Sequence, residues 1–168
     1  MKKLRFHYLL LGLLLSATSH LFAENTGEFD KDWSFSWVFK ADTIEFTMSA
    51  PTTGWISLGF NPTKRMKDAD YILAYVENAQ VYLSDEYGTG NTSHRSDVSL
   101  GGKESAKAIS FIEEAKKTTI TFSLPRNSGD QYDTVFVEGE KCKVLGAYST
   151  SKNFSSRHRK RDSVDSIL

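Results

Sequence analysis

Apolar and polar residues alternate along this chain with a period of two, and no segment sustains the 3.6-residue period of a long helix. Phe35, Trp37 and Phe39 share one side of a run whose other side carries Ser34 and Ser36. Ile44, Phe46 and Met48 repeat the pattern against Thr43, Glu45 and Thr47. Successive side chains of a strand point to opposite faces, so such runs read as half-buried strands. Further strand-like runs occupy 54–60, 70–76, 81–85, 108–112, 118–124, 134–137 and 144–149, separated by turn clusters such as Asn127-Ser-Gly-Asp130. The stretch Glu113–Lys117 lies between two alternating runs and reads as a hairpin loop. About nine short strands with Gly, Asn and Asp punctuation predict an all-β fold, an antiparallel two-sheet immunoglobulin-like β-sandwich.

The N-terminus has a different character. Lys2, Lys3 and Arg5 precede an apolar run at residues 8–17, and the small residue Ala23 stands before the first acid, Glu24. That order predicts a secretory signal peptide at 1–23, with an exported product in a periplasmic or extracellular compartment. The apolar run is too short to span a bilayer, and no later one approaches the roughly 18 residues required, so no transmembrane anchor is expected. Residues 24–168 then form one domain with a core of about 30–160. Removal of three basic residues from a total of 21, against 21 acidic ones, leaves a mature charge of about −3, which disfavours nucleic acid as a partner. Cys142 is the single cysteine, so packing must hold the fold without an intrachain disulfide.

Few side chains are left for chemistry. Beyond the signal, the Met and His groups are Met48, Met66, His94 and His158. Met48 alternates with Ile44 and Phe46 and belongs to the core. Met66 stands in the charged stretch 61–70, which offers a thioether nothing to pack against, and a Met facing a His across a pocket can hold a haem iron. His158, beside the basic run Arg159–Arg161, and His94, in the polar stretch 88–97, are the candidate partners; a basic tail and a solvated surface imidazole are their plain readings. Zinc is a poor fit, because about four Cys or His ligands are wanted and only His94, Cys142 and His158 stand beyond the expected signal. Asp85, Glu86 and Asp97 show no recognised calcium spacing and read as solvated loop residues, while Asp70 and Asp85 read as strand-end groups. Residues 54–59 lack the spacing of a nucleophile elbow and no triad is evident, so no catalytic residues are expected and the chain is not read as an enzyme. Trp33, Trp37 and Trp55 read as core, and Gly54 and Gly59 as places of close backbone approach.

The run 54–60, followed by Met66-Lys-Asp-Ala-Asp70, Ala74–Val76 and Val81–Asp85, resembles the DOMON family. Downstream, Thr119–Arg126, the turn near Gly129 and Asp130, and Val144–Tyr148 with Phe154 and His158 continue the likeness, over roughly 125 residues. In the haem-binding branch, similar to the cytochrome domain of cellobiose dehydrogenase, the resemblance implies a sandwich holding haem b by one Met and one His. Carried onto this chain, those iron ligands are Met66 and His158, with His94 in reserve. Lys67 departs from the small residue common in the family, and the segment after His158 is unusually basic and short. Arg157, Arg159 or Arg161 suit haem propionates. A Cys-x-x-Cys-His motif is absent, so the haem would be non-covalent. With both axial positions filled, the expected function is that of a b-type cytochrome of fairly positive potential, passing electrons to and from a redox partner such as a membrane cytochrome or a dehydrogenase. The alternative is a haem-free DOMON module that binds carbohydrate or protein.

Overall fold

A computed structural model describes residues 25–168 of the chain, so the expected signal peptide at 1–23 lies outside the described residues. Eleven strands and one helical turn follow in order: β1 (Asn25–Asp30), β2 (Trp33–Phe39), β3 (Thr43–Ala50), β4 (Ile56–Phe60), β5 (Asp70–Glu77), β6 (Gln80–Gly90), β7 (Ser93–Ser96), α1 (Asp97–Leu100), β8 (Lys107–Glu114), β9 (Lys117–Pro125), β10 (Lys141–Tyr148) and β11 (Lys160–Ile167). They form two antiparallel sheets, β1-β2-β3-β9-β8 and β11-β10-β4-β5-β6-β7, packed as the sandwich that the alternation predicts.

The register explains the packing. Phe46 lies opposite Trp37 on β2 and Phe122 on β9, while Phe60 of the other sheet lies opposite Val144. Across the sandwich Phe46 meets Phe60 at 4.8 Å between ring centroids, and Phe136 completes the cluster at 5.0 Å from Phe60, edge to face. Trp33 closes one end of the core against Tyr148, also edge to face at 5.1 Å. Met48 is buried in the same core, as its alternation requires.

Two tight hairpins use residues in the left-handed region: Asn78 and Ala79 (φ 51° and 57°) between β5 and β6, and Ala115 and Lys116 (φ 49° and 64°) between β8 and β9. Paired positive φ values are those of a two-residue turn whose twist matches that of its strands. The Glu113–Lys117 stretch is accordingly the hairpin its surroundings predict.

Three strands, β1, β7 and β11, carry no clear alternation, because edge strands are solvated along most of their length. Conversely, 134–137 is not a strand. Thr134 N–H donates to Asp70 Oδ2 and Phe136 N–H to the Arg126 carbonyl, so the donors of this segment bridge the sheet ends instead of building a ladder.

Candidate functional site

The six-stranded sheet is apolar on both faces. Ile56, Leu58, Phe60, Ile72, Ala74 and Val76 point into the sandwich. On the outer face Tyr71, Leu73, Leu145 and Ala147 build a second apolar cluster with Trp55 and Ala69, and Met66 and Phe154 pack onto it. Trp55 therefore belongs to this outer cluster and not to the interior core. An outward apolar face is unusual for a solvated sheet edge and marks a place for a ligand or partner.

A cavity of about 1160 Å³ lies over that face, above the ~300–1,000 Å³ of typical small-molecule sites. The loop carrying Met66, strand β7 with His94, and the 149–159 segment with His158 all contribute to its lining. Arg65, Arg95, Arg157 and Arg161 add cationic groups around the apolar floor. The three candidate ligands are thus brought to one site from positions nearly a hundred residues apart.

Met66 is held by its loop. Arg65 and Asp68, on either side of it, adopt left-handed conformations (φ 56° and 63°), which non-glycine residues keep only when their surroundings impose them. The constraints are visible. Thr63 N–H donates to the Lys67 carbonyl and Lys67 N–H to that of Lys64, both at 3.0 Å, closing a tight turn. The Asp68 carboxylate accepts from Thr63 Oγ1 and, at 3.2 Å, from the Tyr87 hydroxyl; these contacts, with Lys67 at 3.4 Å, keep it ionised below its usual range. The turn docks on β6 through Asp68 N–H to the Gly88 carbonyl and Gly88 N–H to the Ala69 carbonyl, both 2.8 Å. A Cβ at Gly88 would stand 1.8 Å from the Met66 carbonyl oxygen, so the loop reaches its position only because residue 88 is glycine.

Gly59 acts similarly. A Cβ there would meet the Tyr71 ring at 2.3 Å, so its absence gives that ring room against β4. The Tyr71 hydroxyl is buried without a hydrogen-bond partner among the described residues, and burial pushes its ionisation well above the usual phenol range.

His94 stands in β7 instead of a loose polar loop. Its Nδ1–H donates to Glu86 Oε2, and Glu86 also accepts from Ser84 Oγ at 2.9 Å. Burial raises the Glu86 carboxyl, but the His94 contact outweighs it and holds the group below the usual range.

His158 precedes β11. The segment leading to it is pinned from both sides: Trp55 N–H donates to the Ser151 carbonyl at 2.9 Å, Trp55 Nε1–H to Ser156 Oγ at 2.9 Å, and Arg159 N–H to the Tyr148 carbonyl at 2.7 Å. The basic residues after it do not form a loose tail but enter an edge strand paired with β10. Partial burial, then Arg161 and Arg157, lowers the His158 pKa, which leaves the imidazole neutral with a lone pair to donate.

Asp70 opens β5 and accepts from Thr134 N–H, as its strand-end reading expects, whereas Asp85 and Asp97 depart from theirs. Asp85 lies inside β6, which runs on to Gly90, and Asp85 and Asp97 are buried and not solvated. Glu86 goes to the cavity face and so separates from them, because neighbours on a strand point to opposite sides. Sequence patterning had no signal for Tyr71 or Glu86 as cavity residues; alternation assigns a face, but not what covers it.

A family model described as "DOMON domain" matches residues 30–149, a span that includes Met66 and His94 and ends before His158. Among curated proteins, the chain is 29% identical over 117 residues to "DBH-like monooxygenase protein 2" of Mus musculus, covering 69% of this chain and 18% of that protein. It is 28% identical over 137 residues to "Putative DBH-like monooxygenase protein 2" of Homo sapiens, covering 81% of this chain and 26% of that one. The chain thus spans about a quarter or less of these relatives. Among solved structures it is similar to the cytochrome domain of Myriococcum thermophilum cellobiose dehydrogenase, with a TM-score of 0.62 and 13% identity over 86% of this chain and 82% of that one. The cytochrome b domain of pyranose dehydrogenase from Coprinopsis cinerea gives 0.58 and 13%, over 86% and 80%. At such identity the likeness concerns the fold.

Proposed function

The chain belongs to the DOMON family, and on that premise we propose that it binds haem b non-covalently over the outer face of its six-stranded sheet and carries electrons. One observation supports this most: a thioether and a neutral imidazole, Met66 and His158, line the same large cavity. The donor set fits the group. An apolar floor of Trp55, Tyr71, Leu73 and Leu145 suits a flat macrocycle, the Tyr71 hydroxyl, without a partner among the described residues, is left for a polar group of the ligand, and the arginines suit propionates.

Haem supplies a one-electron iron couple when bound. The residues of the chain set its terms. Met66 contributes a soft sulfur that favours the reduced state and raises the potential. His158 remains deprotonated near neutral pH, so little proton release opposes ligation. Met66 and His158 would together hold the iron, which would suit the group to carrying electrons and not to binding substrate. A redox partner such as a membrane cytochrome or a dehydrogenase would supply and receive the electron in the exported compartment.

Two observations favour other readings. His94 already donates its Nδ1–H to buried Glu86, the pairing that commonly orients a metal-bound imidazole, so it is the competing ligand. Tyr75 stacks on the half-exposed Tyr82 at 5.0 Å and 10°, an aromatic surface suited to a haem-free carbohydrate-binding module. Absorption spectra separate the three. Protein purified with haem available is expected to show a Soret band and sharp reduced bands, and Met66→Ala and His158→Ala each to lose the six-coordinate form. A loss in His94→Ala with His158→Ala unchanged transfers the role to His94; colourless protein after reconstitution refutes haem binding.

A further inference from the structure

Behind the cavity, on the inner side of the same sheet, four aspartates converge from four separate segments. Asp70 opens β5, Asp85 lies on β6, Asp97 opens α1, and Asp133 stands in the irregular stretch between β9 and β10. Carboxylate oxygens of Asp70, Asp85 and Asp133 lie within 4.8 Å of one another. Asp70, Asp85 and Asp97 are 2%, 3% and 0% exposed. The strongest charges acting on Asp70 and Asp97 are other aspartates, and the Thr134 N–H works the other way on Asp70.

The hydrogen bonds are one-sided. Thr134 N–H donates to Asp70 Oδ2 at 2.9 Å. Ser105 donates from both N–H and Oγ to Asp85 Oδ2, each at 2.8 Å, with Ala106 N–H at 3.2 Å. The Ser105 hydroxyl also lies 2.8 Å from Asp133 Oδ2. Every donor is spent on an Oδ2. The Oδ1 atoms of Asp70, Asp85 and Asp133 and both oxygens of Asp97 are buried and receive no hydrogen bond among the described residues. The donors therefore orient the acids while leaving five oxygens without a partner. Buried carboxylates in that condition are costly unless they meet a proton or a cation. A proton shared between Asp97 and Asp133 meets that pair alone and leaves Asp70 Oδ1 and Asp85 Oδ1 without a donor.

We infer that Asp70, Asp85, Asp97 and Asp133 form a binding site for a hard divalent cation of the calcium class. The donors are all oxygen, which excludes the soft-ligand metals. Calcium accepts six to eight oxygens in flexible geometry, whereas magnesium demands a strict octahedron and keeps several waters. Buried carboxylates from four independent segments match the first requirement better than the second. The ion ties β5, β6, α1 and the 131–140 stretch together. Its place also couples it to the cavity wall: Asp85 adjoins Glu86, the partner of His94, and Asp70 follows Ala69, which anchors the Met66 loop to Gly88. This inference stands without haem.

The test uses the purified protein stripped with a chelator, then titrated with CaCl2 or MgCl2 alone, followed by thermal unfolding and calorimetry. Calcium at about 1 mM, the affinity range of extracellular sites, is expected to raise Tm on the order of 5 °C, magnesium much less, with reversal by the chelator. Asp97→Asn is expected to remain folded and to lose the calcium response. Calcium binding undetectable up to about 10 mM, or a folded Asp97→Asn that responds as wild type does, overturns the assignment. If Asp97→Asn fails to fold, Asp133→Asn takes its place, and the titration of the wild type decides by itself.

Discussion

Gly88 is the position where one added methyl group distinguishes a held Met66 from a displaced one. A Cβ built there would lie 1.8 Å from the Met66 carbonyl oxygen, 2.9 Å from its carbonyl carbon and 3.1 Å from the Ala69 nitrogen, all backbone atoms that no rotamer change can move aside. To bring the first distance from 1.8 Å to at least 3.0 Å, the Met66 turn must retreat by 1.2 Å. Binding constellations tolerate about 0.5 Å, so Gly88→Ala is expected to remove Met66 from its working position. The same shift breaks the two 2.8 Å bonds that dock the turn on β6. Overpacking at about 1–3 kcal/mol and two backbone hydrogen bonds at about 0.5–1.5 kcal/mol each give a destabilisation of about 4 kcal/mol. Thermal unfolding should register a drop of about 10 °C. The absorption spectrum after haem reconstitution should resemble that of Met66→Ala. Gly90→Ala is the control, since a Cβ there meets only the Ser93 hydroxyl at 2.7 Å, the end of a side chain that can rotate away. If Gly88→Ala matched wild type in both Tm and spectrum, the steric account of the Met66 loop would be refuted.

Two further expectations concern titratable groups. The His158 imidazole, lowered by burial and then by Arg161 and Arg157, should titrate below the ordinary value of 6.5 in an NMR experiment on haem-free protein. Because the folded form disfavours the proton, the contribution of His158 to stability is present above 6.5 and is lost as pH falls through the folded value; a midpoint above 6.5 contradicts this. Cys142 is buried and its thiol is pushed up to about 12 by desolvation, so a thiol reagent at mildly alkaline pH should spare the native protein and modify it only in denaturant. Rapid modification of native protein would disprove that burial.

Much of the fold was legible because half-buried strands advertise themselves. Phe35, Trp37 and Phe39 could alternate with polar neighbours only if one face met a core and the other water or a weaker contact. Strands that break the rule were invisible for the same reason. β11 is an edge strand with little to bury, and 134–137 carries strand-like residues but spends its N–H groups on Asp70 and Arg126. Met66 was conspicuous because a thioether in a charged loop has no local packing to explain it, and the structure puts it on the cavity wall. Glu86 was not, because a strand residue announces its face and never the residue eight positions on that will meet it across a hairpin.

What the chain alone determined, then, was the architecture and a short inventory of donors: one loop methionine, two histidines outside the signal, and a single cysteine. Which of these share a site was decided by tertiary structure. Met66 and His158 are far apart in sequence and meet over the outer sheet face only because β10 lies beside β4 and the segment after it folds back across Trp55. The aspartates make the same point more sharply. Each by itself is an ordinary polar residue near a turn or strand end, and only the convergence of four segments, with the donors spent on one oxygen each of Asp70, Asp85 and Asp133 and none on Asp97, turns them into a cluster whose charge must be met. Local sequence specifies the face a side chain takes; the assembly of distant strands specifies what it finds there.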